Sequence, residues 1–252
     1  MDNGYLNVKN DILKAKGEKE IKASLVSKLR EFPMKDGDFA DNIGLFMTRQ
    51  LLSRIIFMHE MYKNILTVPG VVMEFGVYCG QNLNLFSSFR GMYEPANHTR
   101  KIIGFDTYSG FPSVKKEDGE LAVKGNFKIA DNYEQMLDEV LDMQEQLSPL
   151  PHIKKHELVK GDASVTIKEY LKNHPETLIS MAYFDMDLYE PTKNVLKEIL
   201  PYMPKGAVIG FDELNAFNYP GETVALKEVL KLRDARLVRA PYTTYPSYMI
   251  LD

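Results

Sequence analysis

The sequence predicts an α/β fold built on a mostly parallel sheet, and three observations predict it. The first is the stretch VVMEFGVYCG, Val71 to Gly80. Val71 to Phe75 reads as a buried strand, Gly76 to Gly80 as the turn leaving it, and QNLNLFSSFR as a helix. Together they form the first half of a Rossmann-like βαβ unit, in which glycines admit a cofactor to the backbone. The second is the recurrence of short apolar runs alternating with helical stretches. These are KIIGF from Lys101, HELVK from His156, LISMAYF from Leu178 and AVIGF from Ala207. The third is what several of these runs deliver: Asp106, Asp185 and Asp212 each follow a phenylalanine that closes a strand. In open α/β sheets that edge is where ligands bind.

The bulk numbers fit this class. A chain of 252 residues suits one α/β domain with an appendage, or two small domains. With 44% hydrophobic and 26% charged residues it can build an ordinary core. A net charge of -4 argues against a nucleic-acid binder working through a broad basic surface. Cys79 is the only cysteine, so no intrachain disulfide forms and a reducing, cytoplasmic setting fits best. There is no apolar run of about 18 residues to span a bilayer. The start, MDNGYLNVKNDILKAKGEKE, lacks the apolar core of a signal peptide.

In chain order, residues 1 to about 38 are rich in lysine and glutamate and read as weak helices. From Asp41 to Leu66 apolar residues recur at three-to-four spacing, which predicts an amphipathic helix or helix pair. Residues 1–66 are thus expected as a helical cover or lid, and 67–252 as the main domain. In the glycine turn, Glu74-x-Gly76-x-x-x-Gly80 lacks the central glycine of a dinucleotide fingerprint, and a glycine pair also serves as plain turn chemistry. Asp106 can hold ribose hydroxyls through both carboxylate oxygens. It can also simply start a turn. Residues 113–153 read as an insertion carrying a helix from Asn132 to Gln146, fit for a substrate pocket or an oligomer contact. Asp162 caps the next helix or reaches a cofactor's adenine, with nothing to choose between the two. After the fourth strand comes Asp185-Met186-Asp187-Leu188-Tyr189-Glu190-Pro191, with a helix expected to open at Pro191 and Thr192. The fifth strand delivers Asp212-Glu213, and a helix follows from Glu222 to Lys231. Arg236 to Arg239 and Tyr248 to Leu251 read as a closing antiparallel hairpin.

Paired acids at the ends of two adjacent strands carry the most chemistry. Asp185, Asp187, Asp212 and Glu213 would converge, and like charges so close need compensation. A hard divalent cation such as Mg²⁺ would supply it through oxygen ligands. The plainer reading is that some of these acids cap helices. A bound ion would lower the pKa of a substrate hydroxyl, and a carboxylate off the ion would take the proton.

These residues resemble the macrocin O-methyltransferase family of S-adenosylmethionine-dependent sugar O-methyltransferases. The resemblance rests on Glu74 to Gly80, Gly104-Phe105-Asp106-Thr107 with Gly110-Phe111-Pro112, Asp185 to Thr192, and Pro220-Gly221 before a helix. It implies a class I methyltransferase sheet of seven strands, the last antiparallel, with helices on both faces. It implies S-adenosylmethionine held by Glu74, Gly76, Tyr78, Gly80, Asp106, Ser109, Asp162, Ala163 and Asp185. It further implies Mg²⁺ on Asp185, Asp212 and Glu213, and Asp187 as general base. Met186 stands where the family usually has glycine, and Glu213 where it often has aspartate. The expected partner is a small-molecule sugar, with no nucleic acid or membrane; self-association is left open. Rival readings are a methyltransferase of catechol-like phenols, an NAD-binding oxidoreductase, and a non-catalytic protein keeping the fold.

Overall fold

The sheet has seven strands in the order β3-β2-β1-β4-β5-β7-β6. They are β1 (Val71–Phe75), β2 (Ile102–Asp106), β3 (His156–Lys160), β4 (Ile179–Phe184), β5 (Val208–Phe211), β6 (Leu237–Arg239) and β7 (Ser247–Ile250). The first five pair in parallel; β7 runs antiparallel to both β5 and β6. The class I methyltransferase sheet is therefore present, its hairpin included. The computed structural model describes residues 16–252, so residues 1–15 of the expected N-terminal helical segment lie outside the described residues. Two units make up the chain, Met1–Leu52 and Ser53–Asp252.

The first unit carries α1 (Glu18–Arg30), α2 (Asp36–Asn42) and a 3₁₀ turn at Ile43–Phe46. Glutamates at the start of α1 and Lys28 and Arg30 at its end suit the helix dipole. Phe32 packs its ring against Phe39 and Phe46, at centroid distances of 5.9 and 5.2 Å. The amphipathic stretch expected from 41 to 66 is divided between this turn and α3 (Arg49–Lys63).

Within the second unit, Phe57, Met58, Met61 and Tyr62 of α3 are buried with Phe86 of α4 (Gln81–Tyr93) and with Val72, Met181 and Tyr183 of the strands. The other sheet face packs Met73, Ile103 and Ile209 against α6 (Ala163–Asn173), α7 (Tyr189–Ile199) and α8 (Gly221–Val229). Alternate strand residues feed the two faces, so both are helix-covered. The insertion helix α5 (Tyr133–Gln146) is tied to this body by buried charge. Arg90 of α4 pairs with Glu145 at 2.7 Å and donates to the Lys155 carbonyl at 2.8 Å. Among the described residues no helix is long and apolar enough to cross a membrane.

Strand register positions the site. Phe75 lies beside Phe105 and Phe184, and Phe184 beside Phe211. Their rings stack at 4.9, 5.1 and 5.2 Å, an apolar row beneath the strand ends. The residue after each phenylalanine must then fall in one line: Gly76, Asp106, Asp185 and Asp212. Backbone bonds hold that line, with Gly76 N–H donating to the Phe105 carbonyl, Asp185 to Phe75 and Asp212 to Phe184, at 2.8–2.9 Å.

Candidate active site

The chain leaves β1 toward β2 and β3, then returns on the other side of β1 as β4. Between β1 and β4 lies the topological switch point, where such sheets open a crevice. A cleft is found there, lined by Gly76, Tyr78, Asp106, Asp162, Ala163, Asp185 and Asp187 together with Phe111, Phe127, Met186 and Leu188. Seven of the residues expected from the sequence are thus gathered in one place. Glu74, Gly80, Ser109, Asp212 and Glu213 do not line it.

Gly76 is required twice over. Its φ is 89°, and a Cβ would lie 2.0 Å from the Asp185 carbonyl oxygen. The end of β1 can lie against the end of β4 only without a side chain there. Asp106 holds the same turn: its Oδ2 accepts from the Val77 and Tyr78 amides at 2.7 and 2.9 Å, and its Oδ1 from Tyr108 at 2.7 Å. Asp162 caps α6, accepting from the Ser164 amide at 2.9 Å, while also lining the cleft. Ser109 is exposed on the loop after β2 and its amide donates to Thr107 Oγ1. Glu74 is fully buried; Asn82 donates to its Oε1 at 2.7 Å, and its Oε2 has no partner. Burial pushes the Glu74 carboxyl well above the usual range, and the neighbouring Asp185 adds to this.

On the acid side the compensating charge is Arg54 of α3. Its Nη2 donates to Asp185 Oδ2 at 2.6 Å, its Nη1 to Asp212 Oδ1 at 2.7 Å and its Nε to Asn82 Oδ1 at 3.2 Å. Tyr183 donates its hydroxyl to the same Asp212 oxygen at 2.6 Å. Asp185, Asp212 and Glu213, expected as metal ligands, are not arranged as one cage. Among the described residues no group of three or more His, Cys, Asp or Glu side chains is placed to hold a metal ion. The physical reason is the guanidinium, which already bridges the two aspartates. One cation does not balance all the acids. Burial and then Asp212 push Asp185 up to about 7, and burial and then Asp212 and Asp187 push Glu213 up to about 9. Asp187 is 7% exposed and lies well above the usual carboxylate range, through burial first and Asp185 and Asp212 next.

Residues the sequence did not single out build the acid side. Glu222, fully buried at the start of α8, accepts from the Met186 and Asp187 amides at 3.2 and 3.3 Å and from the Glu213 amide at 3.1 Å. It stitches the loops after β4 and β5 together. Asp118, in the insertion, accepts from the Tyr189 amide at 2.6 Å, and α7 starts at Tyr189 instead of the expected Pro191. A proline in the first turn costs no hydrogen bond, so the helix runs back past it. Gly221 lets α8 approach this loop: a Cβ would lie 2.5 Å from the Asp187 carbonyl. In the sequence Pro220-Gly221 stood out only as part of the family resemblance, with no sign of this approach. Arg54 had no such signal, being one polar residue on an apolar-faced helix.

No protein-family model and no curated protein sequence matches the chain. Solved structures do. A crystal structure of CalS11, a calicheamicin methyltransferase, is 40% identical, covering 94% of this chain and 93% of its own, with a TM-score of 0.91. An apo structure of CalS11, described as a TDP-rhamnose 3'-O-methyltransferase of calicheamicin biosynthesis, is 37% identical over 94% and 95%, with a TM-score of 0.83. The O-methyltransferase NovP shares the fold at 18% identity over 79% and 80%, with a TM-score of 0.54. A cleft at the switch point, a glycine turn at its wall, a line of acids beside it and 40% sequence identity to CalS11 over nearly the full length converge: this chain belongs to the S-adenosylmethionine-dependent O-methyltransferase family that includes CalS11.

Proposed function

We propose that this enzyme methylates a hydroxyl of a sugar, with Asp187 as the base. The observation that carries the reading is the shared cleft: Asp187, buried and unusually basic for a carboxyl, lines the same crevice as Gly76, Asp106 and Asp162. The substrate class is drawn from the likeness to CalS11, whose own substrate is named as TDP-rhamnose.

The cofactor's fit rests on the cleft at the end of β1, which Gly76 lines, and on its apolar wall made by Phe111, Phe127 and Met186. When bound, S-adenosylmethionine supplies a methyl group already activated on a sulfonium. Asp106 and Asp162 are proposed to face its ribose and adenine, with Ala163 beside the ring. Gly76, Tyr78 and Asp185 would border the methionine end, supported from behind by Glu74. Gly80 and Ser109 would act by shaping the two loops. Asp187 takes the hydroxyl proton as the oxygen gains the methyl. A carboxylate of raised pKa is the stronger acceptor once ionised. The Tyr78 and Phe127 rings meet edge to face at 5.9 Å on the cleft wall and would help keep water out.

As arranged, Asp185, Asp212 and Glu213 do not fit a divalent ion, because Arg54 occupies the two aspartates. No step here runs through a metal. A panel of TDP-sugars, free sugars, glycosides and catechols, offered with methyl-labelled cofactor, tests the reading. Label is expected in a sugar hydroxyl; transfer to the catechols alone would reassign the acceptor to phenols.

A further inference from the structure

We infer that the Tyr219 hydroxyl recognises the acceptor: it donates a hydrogen bond to a second oxygen of the sugar whose hydroxyl Asp187 deprotonates. The inference rests on the sugar-methylation reading and names a group that holds that sugar in place.

Tyr219 lies on the loop between β5 and α8, on the acid side of the cleft. Two close backbone approaches fix its position. Just before it, the Asn218 carbonyl oxygen lies against Gly119 of the insertion, where a Cβ would come within 2.7 Å of it. Just after it, Gly221 lies against the Asp187 carbonyl and the Tyr189 amide, with room for no Cβ. The ring is half-buried and packs on the cluster of Phe111, Ala122 and Leu188. Phe111 and Leu188 also line the cleft, whereas Tyr219 does not. The ring therefore stands beside the cofactor space and outside it, which is the place the acceptor takes in the reading above. Burial first, then the charges of Asp187 and Glu213, push its hydroxyl up from the ordinary value. It thus stays protonated and can donate. The Tyr183 hydroxyl is bonded to Asp212 at 2.6 Å, but the Tyr219 hydroxyl has no hydrogen-bond partner among the described residues. A held ring with an unengaged polar tip beside a pocket is a means of fixing a ligand's orientation. A sugar carries several hydroxyls on one ring, so engaging one at Asp187 brings its neighbours to the same wall. A site that hydrogen-bonds such a hydroxyl discriminates against the analogue lacking it.

The test uses the sugar of the panel above that wild type methylates, together with its monodeoxy analogues, each lacking one hydroxyl that is not methylated. Tyr219→Phe keeps the ring that packs on Phe111 and Leu188 and removes only the hydroxyl. S-adenosylhomocysteine affinity by calorimetry checks that the variant is folded. On the full sugar its kcat/KM is expected to fall about tenfold, the scale of one hydrogen bond, and chiefly through KM. One analogue should lose the same factor with wild type and nothing further with the variant, because both partners of the bond are then gone. A residue that merely braced the loop would show no such pairing. Unchanged kcat/KM in Tyr219→Phe, or an equal further loss in the variant on every analogue, overturns the inference. Wild type that accepts every analogue as well as the full sugar also overturns it, whether or not the variant folds. Methylation of no sugar by wild type sinks the underlying reading and this inference with it; methylation without the pairing sinks this inference alone.

Discussion

Asp187 sits in a backbone conformation that few residues accept. Its φ is 60°, the left-handed region, where aspartate and asparagine are tolerated better than most. That turn separates it from Asp185: one aspartate bonds Arg54, and the other is left in the cleft. Asparagine shares this tolerance and nearly the same shape, so Asp187→Asn removes the proton acceptor while leaving the loop in place. We expect turnover to fall by about 10²–10⁴-fold, the range for loss of a general base, with S-adenosylhomocysteine affinity in calorimetry essentially unchanged. Residual turnover close to wild type would remove Asp187 as base. The same residue sets a pH dependence. Burial, then Asp185 and Asp212, hold its carboxyl well above the usual range. A base works only when ionised, so kcat/KM should rise with pH along an acid limb lying above the ordinary aspartate value of about 3.9. A limb at the ordinary value would argue for another base.

At the scale of elements, α8 fixes where Asp187 points, and it does so through two residues that local rules misjudge. Glycine costs up to about 1 kcal/mol relative to alanine in a helix interior and less at a first residue such as Gly221, so propensity alone says Gly221→Ala should be neutral or stabilising. Here the added Cβ would lie 2.5 Å from the Asp187 carbonyl and 2.6 Å from the Tyr189 amide. Both are backbone and cannot swing aside. We therefore expect Gly221→Ala to lower the Tm, against the propensity, and to reduce kcat more than it weakens cofactor binding. An unchanged or raised Tm would show that the loop after β4 can give way. The contrast explains what the sequence disclosed at this level. Strands and crossover helices were legible because their period is local: the starts of β1 and β3 and both ends of α5 fall within a residue or two of expectation. Glu222 reads locally as one more acid at a helix start, which the helix dipole favours. Its actual partners, the Met186, Asp187 and Glu213 amides, lie 36, 35 and 9 residues away in sequence.

At the scale of the whole sheet, the phenylalanine row and the acids after it form one device. Stacked rings hold four strand ends level, and so bring Asp106, Asp185 and Asp212 into a single file. The convergence of Asp185 and Asp212 was readable from repetition alone, as was the need for an opposing charge. The source of that charge was not, because α3 reaches the site only in the folded chain: Arg54 lies 131 residues from Asp185 and 158 from Asp212. The file of acids has a thermodynamic consequence. Asp185 is pushed up to about 7 and Glu213 to about 9, in each case by burial first and by Asp212 next. Ordinary values of about 3.9 and 4.3 apply to the unfolded chain. Between those and the folded values the native protein holds protons that the unfolded chain has released. Stability therefore falls as pH rises through this window. In the absence of divalent ions, the Tm of the protein should be higher at pH 6 than at pH 9. Glu213→Gln carries no charge to lose, so it should reduce the slope across the span and leave the contribution of Asp185, which is confined to pH values up to about 7. Asp212→Asn removes a negative neighbour from both groups and should flatten the whole span. A Tm that rises from pH 6 to pH 9 would mean that the acid edge is compensated by more than Arg54 alone.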